Sequence, residues 1–378
     1  MSGAGTPAEK PASETTVEVA CYASMPQFDS SILDTFIPRC RRLTQLHFGR
    51  IVSNPDAPQA FSENVGFNMT YNLVEPGKGN ALHTHPSVEI FIALDGKWEI
   101  AWGGRGEHTT VLQPWDMIAV PAHVRHSYKN VEEKTANHIM TILCGDASIT
   151  WGPDVVAEAR NHGVRCTRRG ELLGFWSGEE LQEEAGAETE EDEPDAYHRP
   201  MSNPEMARHV RRFRDGQSLS VQAKGSFVNV SWRALAQGET LAIHCSPRAV
   251  DVLLVVLEGS LLLTRQGGEL VAVTSQLDSV RVSAAEAQGI LACNQLRTPC
   301  TILVVESQMR AIAGRQCGEW LVAGVSPTGS MGGECFAPVE EAWRAIGARG
   351  GRKERRIASA TFTCRSYPKM AAGGARLL

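Results

Sequence analysis

The stretch GNALHTHPSVEIFIALDG, residues 79–96, places His83 and His85 one residue apart and Glu89 four residues further on, inside an apolar run. Buried polar groups are costly unless partnered, so three of them gathered here demand a common explanation. In an extended strand alternate side chains share a face, so His83 and His85 point the same way. Glu89 keeps that parity if the strand resumes after Pro86. About forty residues on, DMIAVPAHVRHSYKN supplies His126 in another strand-like stretch. Three imidazoles and one carboxylate form a ligand set suited to one divalent iron, manganese, nickel, copper or zinc ion.

Working outward, the chain reads as two β-rich blocks. The first carries GFNMTYNLV, VEIFIAL, KWEIAW, DMIAV and IMTIL between turn signals such as EPGKGN and GGRG. The second carries SFVNVSW, TLAIH, VLLVVL, SLLLTR, LVAVT and SVRVS, broken at QG, EG and QGGE. Many short strands at regular spacing predict a sandwich or barrel rather than alternating β and α units. Helices are expected only at the margins, over 153–163 and 338–347, where proline and acids come first and glycine last. Between the blocks, GEELQEEAGAETEEDEPDAY (178–197) holds ten acids and no base. Such a segment repels itself and has little to bury, which predicts a solvated linker.

The blocks also repeat each other. Gly77 and His83 answer Gly238 and His244 at the same spacing, LDGKWEIAW answers LEGSLLLTR, and Asp116 answers Asp278. A duplicated β-barrel follows, with one residue of slippage.

The stretch from Gly77 through His83, His85 and Glu89 to Gly96 resembles the first signature of the cupin superfamily, with every fixed position occupied. A second signature is met at Pro121, His126 and Asn130, while Trp115 and His123 stand where the family usually has glycines. The resemblance runs from about 65 to 145 and more faintly from 225 to 310. It implies an all-β protein of two jelly-roll-like barrels joined by the acidic linker, with His83, His85, Glu89 and His126 as metal ligands. In the second block Ser246 replaces the second histidine, Asp251 is a loose substitute for the glutamate and Gln288 lies near the fourth position. That barrel is expected to be metal-free and to serve dimerisation, packing or closure.

These boundaries follow: a disordered lead-in over 1–34, a metal-binding barrel over 35–177, a linker over 178–200, a degenerate barrel over 201–337, and a helix with a basic tail over 338–378. Tyr71 and Tyr128 are candidate general acids or bases, Tyr128 because it shares a face with His126. Trp98, Trp102 and Trp115 either fill the space between sheets or wall a planar substrate. Arg125 is read as a surface charge, and His108 and His123 as loop residues.

Composition bounds the partners. A net charge of −6 argues against nucleic acid, and no apolar run approaches the ~20 residues that span a bilayer. The polar N-terminus lacks a secretory core, and ten scattered cysteines without a CxxC pair suit reduced thiols, so a cytoplasmic protein is expected. The tail RGGRKERR is short and lacks aromatics, which favours a solvated segment. The expected function is that of a metalloenzyme on a small organic substrate. A dioxygenase using Fe2+ on an aromatic, diketone or enediol compound stands first. A non-redox isomerase, epimerase or eliminating lyase, or a small-molecule-binding barrel without turnover, are the alternatives. A homodimer is left open.

Overall fold

The computed structural model describes residues 17–309, apart from 30–31, 50–56, 62–66, 168, 174–197, 224–225, 244–248, 284–286 and 288. The acidic linker (but for its last three residues), the 338–347 helix and the basic tail therefore lie outside the described residues, as do His244, Ser246 and Gln288. No described helix is long and apolar enough to cross a membrane.

After β1 (Val17–Ala20), the first half of the chain supplies β2 (Leu43–Phe48), β3 (Asn68–Val74), β4 (His83–Thr84), β5 (Val88–Ala93) and β6 (Trp98–Trp102). It continues with β7 (His108–Leu112), β8 (Met117–Val120), β9 (His126–Asn130), β10 (Asn137–Cys144) and β11 (Thr150–Trp151), then helix α1 (Pro153–Asn161). The second half opens on α2 (Asn203–Ala207) and β12 (Val210–Arg211), followed by β13 (Leu219–Ala223), β14 (Ser226–Leu235), β15 (Thr240–Ala242) and β16 (Ala249–Glu258). It ends with β17 (Leu261–Arg265), β18 (Leu270–Thr274), β19 (Ser279–Ser283), β20 (Ile290–Cys293) and β21 (Cys300–Met309).

These strands form two pairs of antiparallel sheets with one topology. The first barrel stacks β12-β8-β5-β10-β3-β2 against β11-β4-β9-β6-β7; the second stacks β1-β19-β16-β21-β14-β13 against β15-β20-β17-β18. Position by position the orders coincide, apart from β11, so the repeat seen in the sequence is structural. Its hydrogen bonds repeat too. Asn130 Nδ2 donates to the carbonyls of Val74 and Thr135, and Asn294 Nδ2 donates to those of Leu235 and Thr298. The carboxylates of Asp116 and Asp278 each accept from the amide three residues upstream, Gln113 and Ser275.

The first position of each six-stranded sheet is filled by the other half of the chain. β1 precedes the first barrel yet pairs with β19 of the second. β12 follows the linker yet pairs with β8 of the first. Each arm is pinned by the repeated aspartate: the Tyr22 amide donates to Asp278 and the Phe213 amide to Asp116. The expected lead-in over 1–34 is thus corrected for its described part. Residues 17–20 form a strand, and Leu33 and Asp34 are buried, because the unpaired edge of β19 offers main-chain partners that the sequence of residues 1–34 could not reveal.

The two six-stranded sheets face each other across one apolar core that takes Phe48, Met69, Tyr71, Ile90 and Met140 from the first barrel and Val228, Trp232, Leu253 and Val305 from the second. Each barrel keeps its own interior as well. That of the second is closed by Leu254, Val256, Leu261, Val280 and Ile302.

Candidate metal centre

The histidine stretch is aimed by a close backbone approach. The chain at Gly79 bridges to Lys129 of β9, and a Cβ at Gly79 would lie 1.9 Å from the Tyr128 carbonyl oxygen, so only glycine fits. This seats β4 directly beside β9, with His83 opposite His126. After the Pro86 break, β5 enters the neighbouring sheet and turns Glu89 toward the same interior. His83, His85, Glu89 and His126 are all buried, and their ligand atoms lie within 4.8 Å of one another.

Each imidazole is held at Nδ1 by a backbone carbonyl: His83 by Ala81 at 2.8 Å, His85 by Ser148 at 2.8 Å and His126 by Val124 at 2.7 Å. A carbonyl only accepts, so each neutral ring carries its proton on Nδ1 and turns the Nε2 lone pair inward. The three Nε2 atoms stand 3.6, 3.3 and 2.8 Å from Glu89 Oε2. Lone pairs facing a carboxylate oxygen repel unless a cation lies among them. Metal–nitrogen bonds of about 2.0–2.1 Å put the donors of one ion roughly 3–4 Å apart, so the four residues fit such an ion. Burial pushes the His83 imidazole down to about 4, so it stays neutral and available as a donor.

A cavity of about 40 Å³ opens beside these groups. Its floor is a hydrogen-bonded ladder across three strands. Thr44 donates to Asn72, Asn72 donates to Thr70, and Thr70 meets Thr141 at 2.6 Å. Arg42, Asn80, Tyr128 and Trp151 complete much of the wall. Arg42 is clamped by Asp34, whose carboxylate receives Nη1 at 3.1 Å and Nη2 at 2.9 Å and also the Ala81 amide at 2.9 Å. Burial works against the guanidinium charge, yet Asp34 raises the Arg42 pKa above its ordinary value.

The two candidate tyrosines part company. Tyr128 lines the cavity, and burial pushes its phenol above the usual range. Tyr71 is a correction. It lies between Thr70 and Asn72, so strand alternation turns it to the opposite face, into the core between the barrels and 4.0 Å from the His47 ring. The sequence alone does not say which face of NMTYNLV lines the interior. Here the interior is the polar face and the apolar one meets the second barrel.

Other expectations resolve similarly. Trp98 and Trp102 pack with Val74, Phe91 and Met201 away from the cavity, and Trp115 rests edge-on against Phe213. His108 is not a loop residue but opens β7 and lies against Trp102. Arg125 is no free surface charge: it binds Asp154 of α1 at 2.6 Å and the Gly104 carbonyl. Trp115 and His123 keep the left-handed turns that glycines would occupy, with φ of 70° and 63°. Leu277 repeats the first at 69°. The His123 amide donates to the His85 carbonyl, so this turn holds the ligand strand. Arg42, Asp34, Trp151 and the threonine–asparagine ladder were missed. The alternation of Thr70 and Asn72 with Met69 and Tyr71 was the one signal that could have found part of them.

In the second barrel, register places Val252 opposite Val282 where the first has Glu89 opposite Val120. Ile290 stands across from Arg265 as His126 does from Trp102. Asp251 is therefore not the counterpart of Glu89. It lies one residue away, bound to Arg281 at 3.0 and 3.2 Å. Aliphatic side chains thus occupy the positions that correspond to Glu89 and His126.

Residues 71–142 match the family model described as a cupin domain. No curated protein sequence matches the chain. Among solved structures, a mutant of Bacillus subtilis oxalate decarboxylase is similar at 12% identity, over 80% of this chain and 79% of that one, with a TM-score of 0.46. The same enzyme at pH 4.6 is similar at 12% identity, over 79% and 78%, with a TM-score of 0.45.

Proposed function

The chain is a member of the cupin superfamily, and from that premise we propose that its first barrel is a metal-dependent enzyme site acting on a small oxygen-bearing substrate. His83, His85, Glu89 and His126 would hold one divalent ion. The observation that carries this is the donor set itself: three imidazoles fixed at Nδ1 by carbonyls, with their lone pairs turned on one carboxylate. When bound, the ion supplies Lewis acidity and, if it is iron, a meeting point for dioxygen and a chelating substrate.

An oxygen-dependent dioxygenase is favoured over an isomerase or eliminating lyase by what else lines the cavity. Apart from the four ligands, the ionisable side chains among the described lining residues are Arg42 and Tyr128. Asp34 keeps Arg42 charged and burial keeps Tyr128 protonated, so neither is poised near neutral pH to accept a proton. Moving protons between carbons needs such a base. Oxidation needs orientation instead, which Tyr128 as a hydrogen-bond donor and the Thr44–Asn72–Thr70–Thr141 ladder supply. Trp151, against the His83 ring at 5.4 Å, shields the ligands from water. A cavity of about 40 Å³ has room for only a few heavy atoms. Within the aromatic, diketone and enediol classes, the small enediols and diketones fit best.

Metal analysis of protein purified in air, with oxygen uptake measured across a panel of such compounds, tests the reading. About one iron per chain and substrate-dependent oxygen uptake are expected. Tightly held zinc without oxygen uptake would move the assignment to non-redox chemistry. His126→Ala should lower metal content severalfold, and an unchanged content would overturn the ligand assignment.

A further inference from the structure

Arg42 lines the metal cavity, yet only two of its three guanidinium nitrogens are used. Nη1 and Nη2 are taken by Asp34 and the Cys40 carbonyl. Its Nε is shut off from solvent and has no hydrogen-bond partner. The Arg42 side chain is 4% exposed and that of Asp34 0%, so this is a buried ion pair with one donor left over. An unpartnered buried N–H is costly, and a planar guanidinium locked by its other two nitrogens cannot turn to relieve it. An arginine held rigid with a spare donor at a cavity wall is arranged to receive an acceptor from the cavity.

The charges define that acceptor. Three neutral imidazoles, one carboxylate and a divalent ion sum to +1, and the Arg42–Asp34 pair adds nothing. Since an uncompensated buried charge is expensive, a ligand with one negative charge leaves the site neutral, whereas a dianion leaves it at −1. We infer that Arg42 is a positioning and specificity-determining residue that receives one oxygen of a small monoanionic ligand, and that Asp34, by cancelling its charge, discriminates against dianions. The few-atom cavity restricts this to compounds of glycolate size, or to the singly ionised form of a small enediol. The inference rests on the proposed metal site and names the charge class of what binds there.

The test uses full-length protein loaded with Co2+, with glycolate as monoanion and malonate as dianion, read by titration calorimetry and by the visible spectrum of the cobalt. Metal content and thermal midpoint are recorded on every sample. Wild type should bind glycolate at least tenfold more tightly than malonate. Asp34→Asn, which leaves the arginine charge uncancelled, should shift that ratio toward malonate by about tenfold or more. Asp34→Asn with Arg42→Gln, a neutral pair of similar shape, should keep about one cobalt per chain and lose glycolate binding by at least tenfold. Arg42→Lys, which retains charge without the planar fork, should weaken glycolate severalfold and guards against a misfolded double variant. Unchanged glycolate binding in both Arg42 variants, or an unchanged glycolate-to-malonate ratio in Asp34→Asn, overturns the inference and leaves the metal site standing. Wild type that takes up no cobalt overturns both.

Discussion

His83, His85 and His126 each commit one ring nitrogen to a carbonyl supplied within two residues or by a neighbouring loop, which fixes the direction of the other nitrogen. The same logic separates the tyrosines. Tyr128→Phe should leave metal content unchanged and lower turnover about 10–100-fold, because it removes the one phenol among the described lining residues of the cavity. Tyr71→Phe should leave turnover unchanged. Its thermal midpoint should not fall either, since the hydroxyl it removes is buried without a partner. A turnover loss in Tyr71→Phe would contradict its placement between the barrels. His47, also in that seam, is pushed down to about 3 by burial. An unfolded histidine titrates near 6.5, so between about pH 6.5 and 3 the unfolded chain binds a proton that the folded one refuses. Stability from His47 is therefore complete above pH 6.5 and is lost as pH falls, by roughly 3 kcal/mol over two pH units. Urea melts of the metal-free protein at pH 6.5 and 4.5 should show a shallower pH dependence in His47→Gln than in wild type. Equal slopes would place the proton elsewhere.

At the scale of elements, the exchanged arms stand out. β1 and β12 are short, and each closes a sheet edge that the barrel itself leaves open. Asp278 accepts from the Tyr22 and Ser275 amides, and Asp116 accepts from the Phe213 and Gln113 amides and from Arg212 at 2.6 Å. Asp278→Ala leaves two amides without their acceptor, so a loss of about 2–3 kcal/mol in chemical denaturation is expected. Deleting residues 1–25 uncovers β19 as well. Sedimentation should then show self-association, because an unpaired edge is a template for another strand. A monodisperse truncated protein of full stability would show that the arm is dispensable. The Pro114–Trp115 turn also belongs here. Its left-handed residue is the third of four, as a type II turn requires, and proline, common at the second place, precedes it. The Asp116 carboxylate and the Phe213 ring hold it there without glycine.

At the scale of the molecule, the two barrels share an apolar core and trade strands, so neither is complete alone. A single calorimetric unfolding transition is expected for the full chain, and residues 35–177 expressed alone should not fold stably because β12 and the faces of β14, β16 and β21 are missing. Two resolved transitions would mean that the halves are independent. Much of this architecture was legible in the residues. The spacing of His83, His85, Glu89 and His126, the strand-length apolar runs, the acidic break and the matched pairs Gly77/Gly238 and Asp116/Asp278 all follow local rules of period and turn chemistry. What only the tertiary structure decided is which face of each strand is the inside. Alternation sorts Thr70 and Asn72 from Met69 and Tyr71, but it cannot say that the apolar set faces a second barrel and the polar set a metal cavity. Arg42 and Asp34 were hidden for the same reason: they reach the site from outside the motif, through pairings between distant segments that no local pattern records. The sequence by itself determined where the ligands are and that the fold is doubled; packing of one barrel on the other decided what surrounds them.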